Sequence, residues 1–316
     1  MRPWLRILTV TFSNGKNKIT FGENYLEDKT DMSISVVGHK YMSSLKDNCT
    51  IKINNLNYYQ IIRLIDGKYY DVEVKAGYKD LGARTIFKGG VLYISNNLGD
   101  KKTSTAIILC ASNLVAKFGQ KRINLTLNSG VNLYSALKYM CKKSGIVDYT
   151  ISTQFKKKFL QEVTNYDNKN ISTILDNLCE NNSSYIVNSD SSVNGSDFWI
   201  YDANKSNART FTLTSKMVQI IGDYPSLNQD GLNFKILPTY NFIPGDVIEL
   251  DNSIINIYAD RADGSNFSKP YFLDELGLYT IYEIEYNLEN RGNNFYLDLT
   301  CKSRSKISNI LGGTND

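Results

Sequence analysis

The residues able to carry chemistry are few and scattered. One histidine, His39, stands in the run Ser35-Val36-Val37-Gly38-His39-Lys40, which reads as a strand end or turn. A nucleophilic triad or an H-E-x-x-H zinc helix needs imidazoles in other numbers or at other spacings, so no catalytic role is expected of it. The five cysteines, Cys49, Cys110, Cys141, Cys179 and Cys301, are odd in number and far apart, with no C-x-x-C pair. That usage argues against a zinc site and a disulfide framework, and it points to folding in a reducing cytosol. No G-x-x-x-x-G-K-[ST] loop occurs, and no G-x-G-x-x-G follows a strand. Asp260-Arg261-Ala262-Asp263-Gly264 offers two carboxylates and a glycine but lacks the later ligands of a calcium loop. Neither a metal nor a cofactor is expected. A glycosidase needs only two acids flanking a cleft, and Asp274-Glu275 and Glu283/Glu285 are the candidates by proximity. Glu283 and Glu285, however, alternate along a strand as a solvated face does. Lys156-Lys157-Lys158 is the only dense basic run, and it reads as a solvated loop or strand edge before it reads as a phosphate site. A dispersed net charge of +4 gives no basis for a nucleic-acid partner.

The elements around these residues are mostly strands, and the first third of the chain reads as β throughout. Ile51 and Ile53 alternate with polar neighbours, as do Val72, Val74 and Ala76, and this period of two marks strands with one face on a core. Asn14-Gly15, Asp66-Gly67 and Gly89-Gly90 punctuate the strands as turn signals. Ile107 to Cys110 is a continuous apolar run, expected to be buried on both faces. The period then changes. Leu133, Leu137 and Met140 share a helix face, with Gly145 placed to end it. A second helix carries Ile171, Ile174, Leu175 and Leu178 behind Asn170 as its N-cap. Each helix precedes a candidate strand: Tyr149 to Thr153, then Tyr185 to Asn188 and Phe198 to Asp202. Ser189 to Ser196 is expected to be a loop or hairpin tip. From Phe211 alternation returns, through Val247 to Leu250 and Tyr279 to Tyr286, and Asn290-Arg291-Gly292 turns the chain into Phe295 to Cys301.

These periods divide the chain into residues 1–116, a β-barrel or sandwich; residues 117–205, a small α+β region; residues 206–305, a second β-barrel; and residues 306–316, a mobile tail. The fold class is mainly β with a small α+β insert. Trp4 to Val10 is a strand rather than a signal peptide, and no apolar run approaches the roughly 18 residues of a membrane span. The 22 tyrosines suit half-buried pleated surfaces and also surfaces buried against another subunit.

Three stretches together resemble the hub proteins of phage baseplates, the family that includes the hubs of Mu-like and T-even phages. The first is Val72 to Tyr78, with Ala76-Gly77-Tyr78 at its end, followed by Ile86-Phe87-Lys88-Gly89-Gly90-Val91. In it Gly77 is expected to let the chain leave a strand, and Phe87 to fill the barrel. The second is the helix flanked by Gly130 and Gly145, similar to the family's inserted domain. The third is an ordered C-terminal series: Ile220 to Pro225, Gly231 to Pro238, Ile243-Pro244-Gly245-Asp246 to Leu250, Gly277-Leu278-Tyr279, and Asn290-Arg291-Gly292 to Phe295. Where the family pattern often has Trp this chain has Phe295, and where a His often precedes the R-G turn it has Tyr286.

The resemblance implies a structural protein with no enzymatic activity. It implies two tube-like barrels per chain, and a homotrimer forming a pseudo-hexameric ring that adapts a six-fold tail tube to a three-fold spike. The implied partners are further copies of itself, the tail tube protein, the spike protein and the tape-measure protein, with no membrane and no stable nucleic-acid partner. The implied location is the tail baseplate of a virion or phage-tail-like particle, made in the host bacterial cytoplasm. Gly130 to Leu137 is also similar to the opening of the peptidoglycan-binding LysM module over fewer than twenty residues. A peptidoglycan-binding or wall-degrading tail component is therefore the alternative, beside a distal-tail or tail-associated protein of a non-contractile tail.

Overall fold

The computed structural model describes residues 5–22, 32–98, 104–119, 121–180, 185–188, 198–202, 208–213, 220–228, 231–257 and 273–304. The expected calcium-loop fragment at 260–264, the loop at 189–196 and the tail at 306–316 lie outside them. The first β segment holds β1 (Arg6–Ser13), β2 (Lys18–Phe21), β3 (Ser33–Tyr41), β4 (Asn48–Asn54), β5 (Asp71–Tyr78), β6 (Gly82–Leu98) and β7 (Ser104–Ser112). Between β4 and β5 lies α1 (Tyr58–Asp66), opened by a capping box of Asn57 and Gln60, with Ile61 and Leu64 facing the core. After β7 come α2 (Asn113–Phe118), β8 (Arg122–Leu127), α3 (Leu133–Ser144), β9 (Tyr149–Ile151), β10 (Thr164–Asn170), α4 (Ile171–Glu180), β11 (Tyr185–Asn188) and β12 (Phe198–Asp202). The second β segment holds β13 (Thr210–Leu213), β14 (Ile220–Asn228), β15 (Gly231–Ile236), β16 (Val247–Leu250), β17 (Asn256–Ile257), β18 (Leu278–Glu289) and β19 (Phe295–Ser303).

Mainly β structure with an α+β insert is thus what the chain adopts. The two terminal segments form one continuous 14-stranded sheet, in which β3–β4–β7–β6–β5–β1–β2 follows β17–β14–β15–β19–β18, with β16 on β18 and β13 on β16. They also share one core, running from Leu8, Val10 and Phe12 to Leu297, Leu299 and Cys301. Within that sheet the same six-strand layout occurs twice. Taken in chain order, β1, β3, β4, β5, β6, β7 are laid out β3–β4–β7–β6–β5–β1, and β13, β14, β15, β16, β18, β19 are laid out β14–β15–β19–β18–β16–β13. The insert has its own core: Leu133, Leu137 and Met140 of α3 pack with Ile174, Leu175 and Leu178 of α4 over Ile123 and Leu125 of β8.

Local readings hold where the spacing is simple and shift where strands bulge. Gly145 ends α3 at φ 72°, in the left-handed region a C-cap glycine supplies. Gly89 and Gly90 do not turn the chain; β6 runs through them. Their role is close approach, since a Cβ on Gly89 would overlap the Ala111 carbonyl and one on Gly90 would overlap Ala116. Gly77 likewise stays inside β5, where a Cβ would overlap the Gly82 carbonyl; the positive φ of that hairpin falls on Gly82, at 75°. Ile107 to Cys110 is buried on one face only, with Leu109 exposed. β9 stops at Ile151, and a 3-10 turn takes over at Thr153. Asn170 ends β10 instead of capping α4, and its side-chain oxygen accepts no hydrogen bond.

Candidate functional site: the seam between the two β units

The residues with the greatest reach across the sequence meet where β3 lies on β18, antiparallel, from Tyr41 opposite Glu283 to Ser35 opposite Glu289. β18 serves this seam because it bulges between Ile281 and Glu283. The bulge resets the alternation, so Tyr279 and Ile281 before it and Ile284, Tyr286 and Leu288 after it all face the core. On the outer face His39, in the body of β3 rather than at its end, places Nδ1 3.0 Å from Glu283 Oε1 and stacks on Tyr41. On the inner face Tyr286 is fully buried and donates its hydroxyl to the Asn48 carbonyl at 2.7 Å. Burial and the neighbouring Cys49 thiol hold that phenol well above its ordinary value. Gly38 leaves the space the ring needs: a Cβ there would overlap both Tyr286 Oη and the Asn48 carbonyl oxygen. Phe87 of β6 packs 6.3 Å from the Tyr286 ring.

The far end of the seam is closed by the β18–β19 turn. Asn290 is buried; its Oδ1 accepts from Ile34 N at 2.8 Å and its own N–H donates to the Ile34 carbonyl at 3.1 Å. The side chain thereby adds one rung to the β3–β18 ladder. Arg6 of β1 donates to the Gly292 carbonyl at 2.7 Å and lies over the Phe295 ring, which meets Tyr78 edge-on at 5.5 Å. Burial raises the Tyr78 phenol to about 12, with Arg6 opposing. Tyr78, far from Gly292 and Phe295 in the sequence, therefore joins them in one contact through Arg6, while Arg291 is exposed. Ala76 is buried in β5 opposite Leu8.

A second junction ties the insert to the sheet. Gly245, after buried Pro244, has φ 95°, and a Cβ on it would come 2.6 Å from Ile186 Cδ1 and 2.8 Å from Tyr201 Oη. Asp246 beside it is buried, takes a bidentate pair from Arg209 at 2.9 and 2.5 Å, and accepts from Ile243 N at 2.9 Å. Val187 N donates to the Met42 carbonyl at 3.0 Å, which docks β11 against the end of β3. Tyr279 is buried and donates to Asn252 Oδ1 at 2.8 Å. Sequence reasoning missed Arg6, Asn290, Arg209 and Asp246 as joints, because nothing local ties Arg6 or Asn290 to a strand hundreds of residues away, or Arg209 to a carboxylate 37 residues on.

Of the candidate acids, Asp274 holds structure. Asp274 is buried and accepts from Leu276 N and Leu278 N at 3.0 and 3.1 Å and from Ser303 Oγ at 2.9 Å, so its oxygens are committed to a turn. Glu275 is exposed, and Glu283 and Glu285 share the outer face of β18. A cavity of about 350 Å³ in the insert is lined by Leu160, Gln161, Glu162, Thr164, Tyr166, Asn177 and Leu178, with Glu162 the single carboxylate among the described lining residues. Among the described residues no group of three or more His, Cys, Asp or Glu is placed to hold a metal ion, and no helix is long and apolar enough to cross a membrane.

The sequence matches no protein-family model and no curated protein. Its fold does match solved structures. A tail protein of prophage MuSo2 from Shewanella oneidensis superposes with a TM-score of 0.57 at 8% identity, over 94% of this chain and 97% of that one. A tail protein from Neisseria meningitidis MC58 gives 0.53 at 8% identity, over 94% and 96%. An E. coli component of the type VI secretion system, described as structurally similar to the T4 tail proteins gp27 and gp5, gives 0.55 at 10% identity, over 88% and 75%. Two β units bracketing an α+β insert is a fold this chain shares with these proteins.

Proposed function

We propose that the chain is a structural component without enzymatic activity, the baseplate hub of a contractile phage tail or phage-tail-like particle. In this reading three copies form a ring that joins the six-fold tail tube to the three-fold spike, with the end of the tape-measure protein in the channel. The observation that carries it is the six-strand layout built twice and joined edge to edge. Three copies of a chain with two like units present six like units in a ring, so one face can match a six-fold tube while the other keeps three-fold symmetry. The kinship of fold with the prophage tail proteins supports the same reading. Imaging of the assembled particle tests it. Three copies around a channel at the junction of tube and spike are expected; six copies there, or a place on a peripheral fibre, overturn it. Purified peptidoglycan is expected not to retain the chain.

A further inference from the structure

The two β units match in register as well as in order. Cys49 faces Cys110, which faces Val91; Leu232 faces Cys301, which faces Ile281. One position later each long strand bulges, between Val91 and Tyr93 in β6 and between Ile281 and Glu283 in β18. A departure is β13, which runs parallel to β16 where β1 runs antiparallel to β5. Tyr93 thus corresponds to Glu283, Ile94 to Ile284, Ser95 to Glu285 and Asn96 to Tyr286.

Past the bulge the two strands differ in what lies beside them. β18 gives its flank from Glu283 to Glu289 to β3. β6 from Tyr93 to Leu98 has β7 on one flank and, among the described residues, no strand on the other. Burial records the difference: Ile284 and Tyr286 are 2% and 0% exposed, whereas their counterparts Ile94 and Asn96 are half-buried and exposed. The strand missing beside β6 is the counterpart of β3, which is β14. The outer flank of β14 carries only β17, at Ser226 and Leu227, among the described residues. Within one chain β15, β19, β18, β3, β4 and β7 stand between β14 and β6. These are seven inter-strand steps, about 34 Å along the sheet at ~4.8 Å each.

We propose that the edge of β6 from Ser95 onward takes β14 of a second copy of this chain, in the register β3 adopts on β18. Ser95 then faces Asn228 of the neighbouring copy, Asn96 faces Leu227 and Asn97 faces Ser226. The edge is suited to this: Tyr93-Ile94-Ser95-Asn96-Asn97-Leu98 holds no Lys, Arg, Asp, Glu or Pro, the residues that ordinarily guard an exposed edge. Leu92, 55% exposed, and Leu109 add apolar surface beside it. In the lone chain β17 occupies the same two residues of β14 with a two-residue parallel ladder, so it caps the edge until a longer antiparallel strand replaces it. The contact is heterologous, and the rotation per step decides between a closed ring and a filament. A removable cap restrains that growth until copies are gathered. The pairing rests on the matched registers; that the copies number three rests on the ring reading above.

The test is the full chain carrying Ser95→Cys with Asn228→Cys, concentrated and treated with diamide, which accepts the two electrons and two protons the thiols release on forming the disulfide. Directly opposed strand residues meet the spacing a disulfide needs. Covalent multimers are expected from the double variant and not from either single variant. Native mass spectrometry of Asn256→Pro, which removes a donor from β17, is expected to show several-fold more multimer than the parent chain. Multimers that never cross-link, or monomers at every concentration in all variants, overturn the pairing. A three-copy ring imaged with β6 and β14 apart removes the pairing and leaves the ring reading; cross-linked filaments with no closed trimer do the reverse.

Discussion

Gly38→Ala probes the seam at its tightest point. A methyl group there would overlap the Asn48 carbonyl oxygen and Tyr286 Oη and stand 2.7 Å from Tyr286 Cζ. The ring has no free space to enter, because Tyr286 is fully buried and packs toward Phe87. Overpacking of a filled core costs about 1–3 kcal/mol and occasionally more; with a backbone oxygen among the obstacles, about 3 kcal/mol or more is expected. Tyr286→Phe alone loses the 2.7 Å bond to Asn48, worth about 0.5–1.5 kcal/mol. In the double variant the hydroxyl is gone but Cζ and the Asn48 carbonyl remain, so rescue should be slight. Urea unfolding of the four proteins measures the cycle, and because the seam is a shared core a single transition is expected in each. If Tyr286→Phe restores Gly38→Ala to within 0.5 kcal/mol of the Phe variant, or if the two β segments melt separately, the seam as described is wrong.

Four further outcomes follow from the same contacts. Asn290→Ala should cost about 1–3 kcal/mol by leaving the Ile34 N–H buried without its acceptor, measured by denaturant midpoint. Arg209→Met should cost up to about 3 kcal/mol by stranding the buried Asp246 carboxylate, and adding Asp246→Leu should recover only part of it, because Ile243 N then loses its acceptor. Gly245→Val should cost on the order of 1–3 kcal/mol from its positive φ, with a larger loss if Ile186 and Tyr201 cannot shift; a melt within a degree or two of the parent refutes the turn. Burial raises the Cys49 and Cys141 thiols to about 12. The unfolded chain therefore releases those protons first as pH rises past about 9. Stability should fall between about pH 9 and 12, by ~1.4 kcal/mol per pH unit for each thiol, and a flat profile over that window would contradict it.

Alternation made most strands legible, since a face on a core writes a period of two into Val72, Val74 and Ala76 and into Phe295, Leu297, Leu299 and Cys301. α3 and α4 were legible from their periods, and Gly145 from the cap it must form, whereas α1 and α2 were not read, and α1 interrupts a region that reads as β throughout. The bulges were not. Ile86 and Phe87 are adjacent and both buried, and Ile281 and Ile284 lie an odd number apart on one face, so a strict period of two misplaces each. Gly89-Gly90 misled because a glycine chosen for a close neighbour is the same residue as one chosen for a turn. Tyr78, Phe87, Tyr279 and Gly245 do sit at joints, but what they touch is set by pairings such as Arg6 with Gly292 that no local pattern encodes. The duplication escaped too: equivalent positions such as Cys49 and Leu232, or Glu283 and Tyr93, share geometry and little chemistry.

The seam also sets a clock. His39 and its partner Glu283 are 244 residues apart, and synthesis at ~5–20 residues per second puts about 12–50 s between their appearances. Throughout that interval the nascent chain carries β3 with its outer edge open and the cleft facing Gly38 unfilled by Tyr286. Val36 and Ile34 lie along that strand, so the waiting surface is sticky as well as open. Expression should therefore be governed less by final stability than by what shields this edge meanwhile, and slowing translation in the insert should lower the soluble yield where speeding it raises the yield.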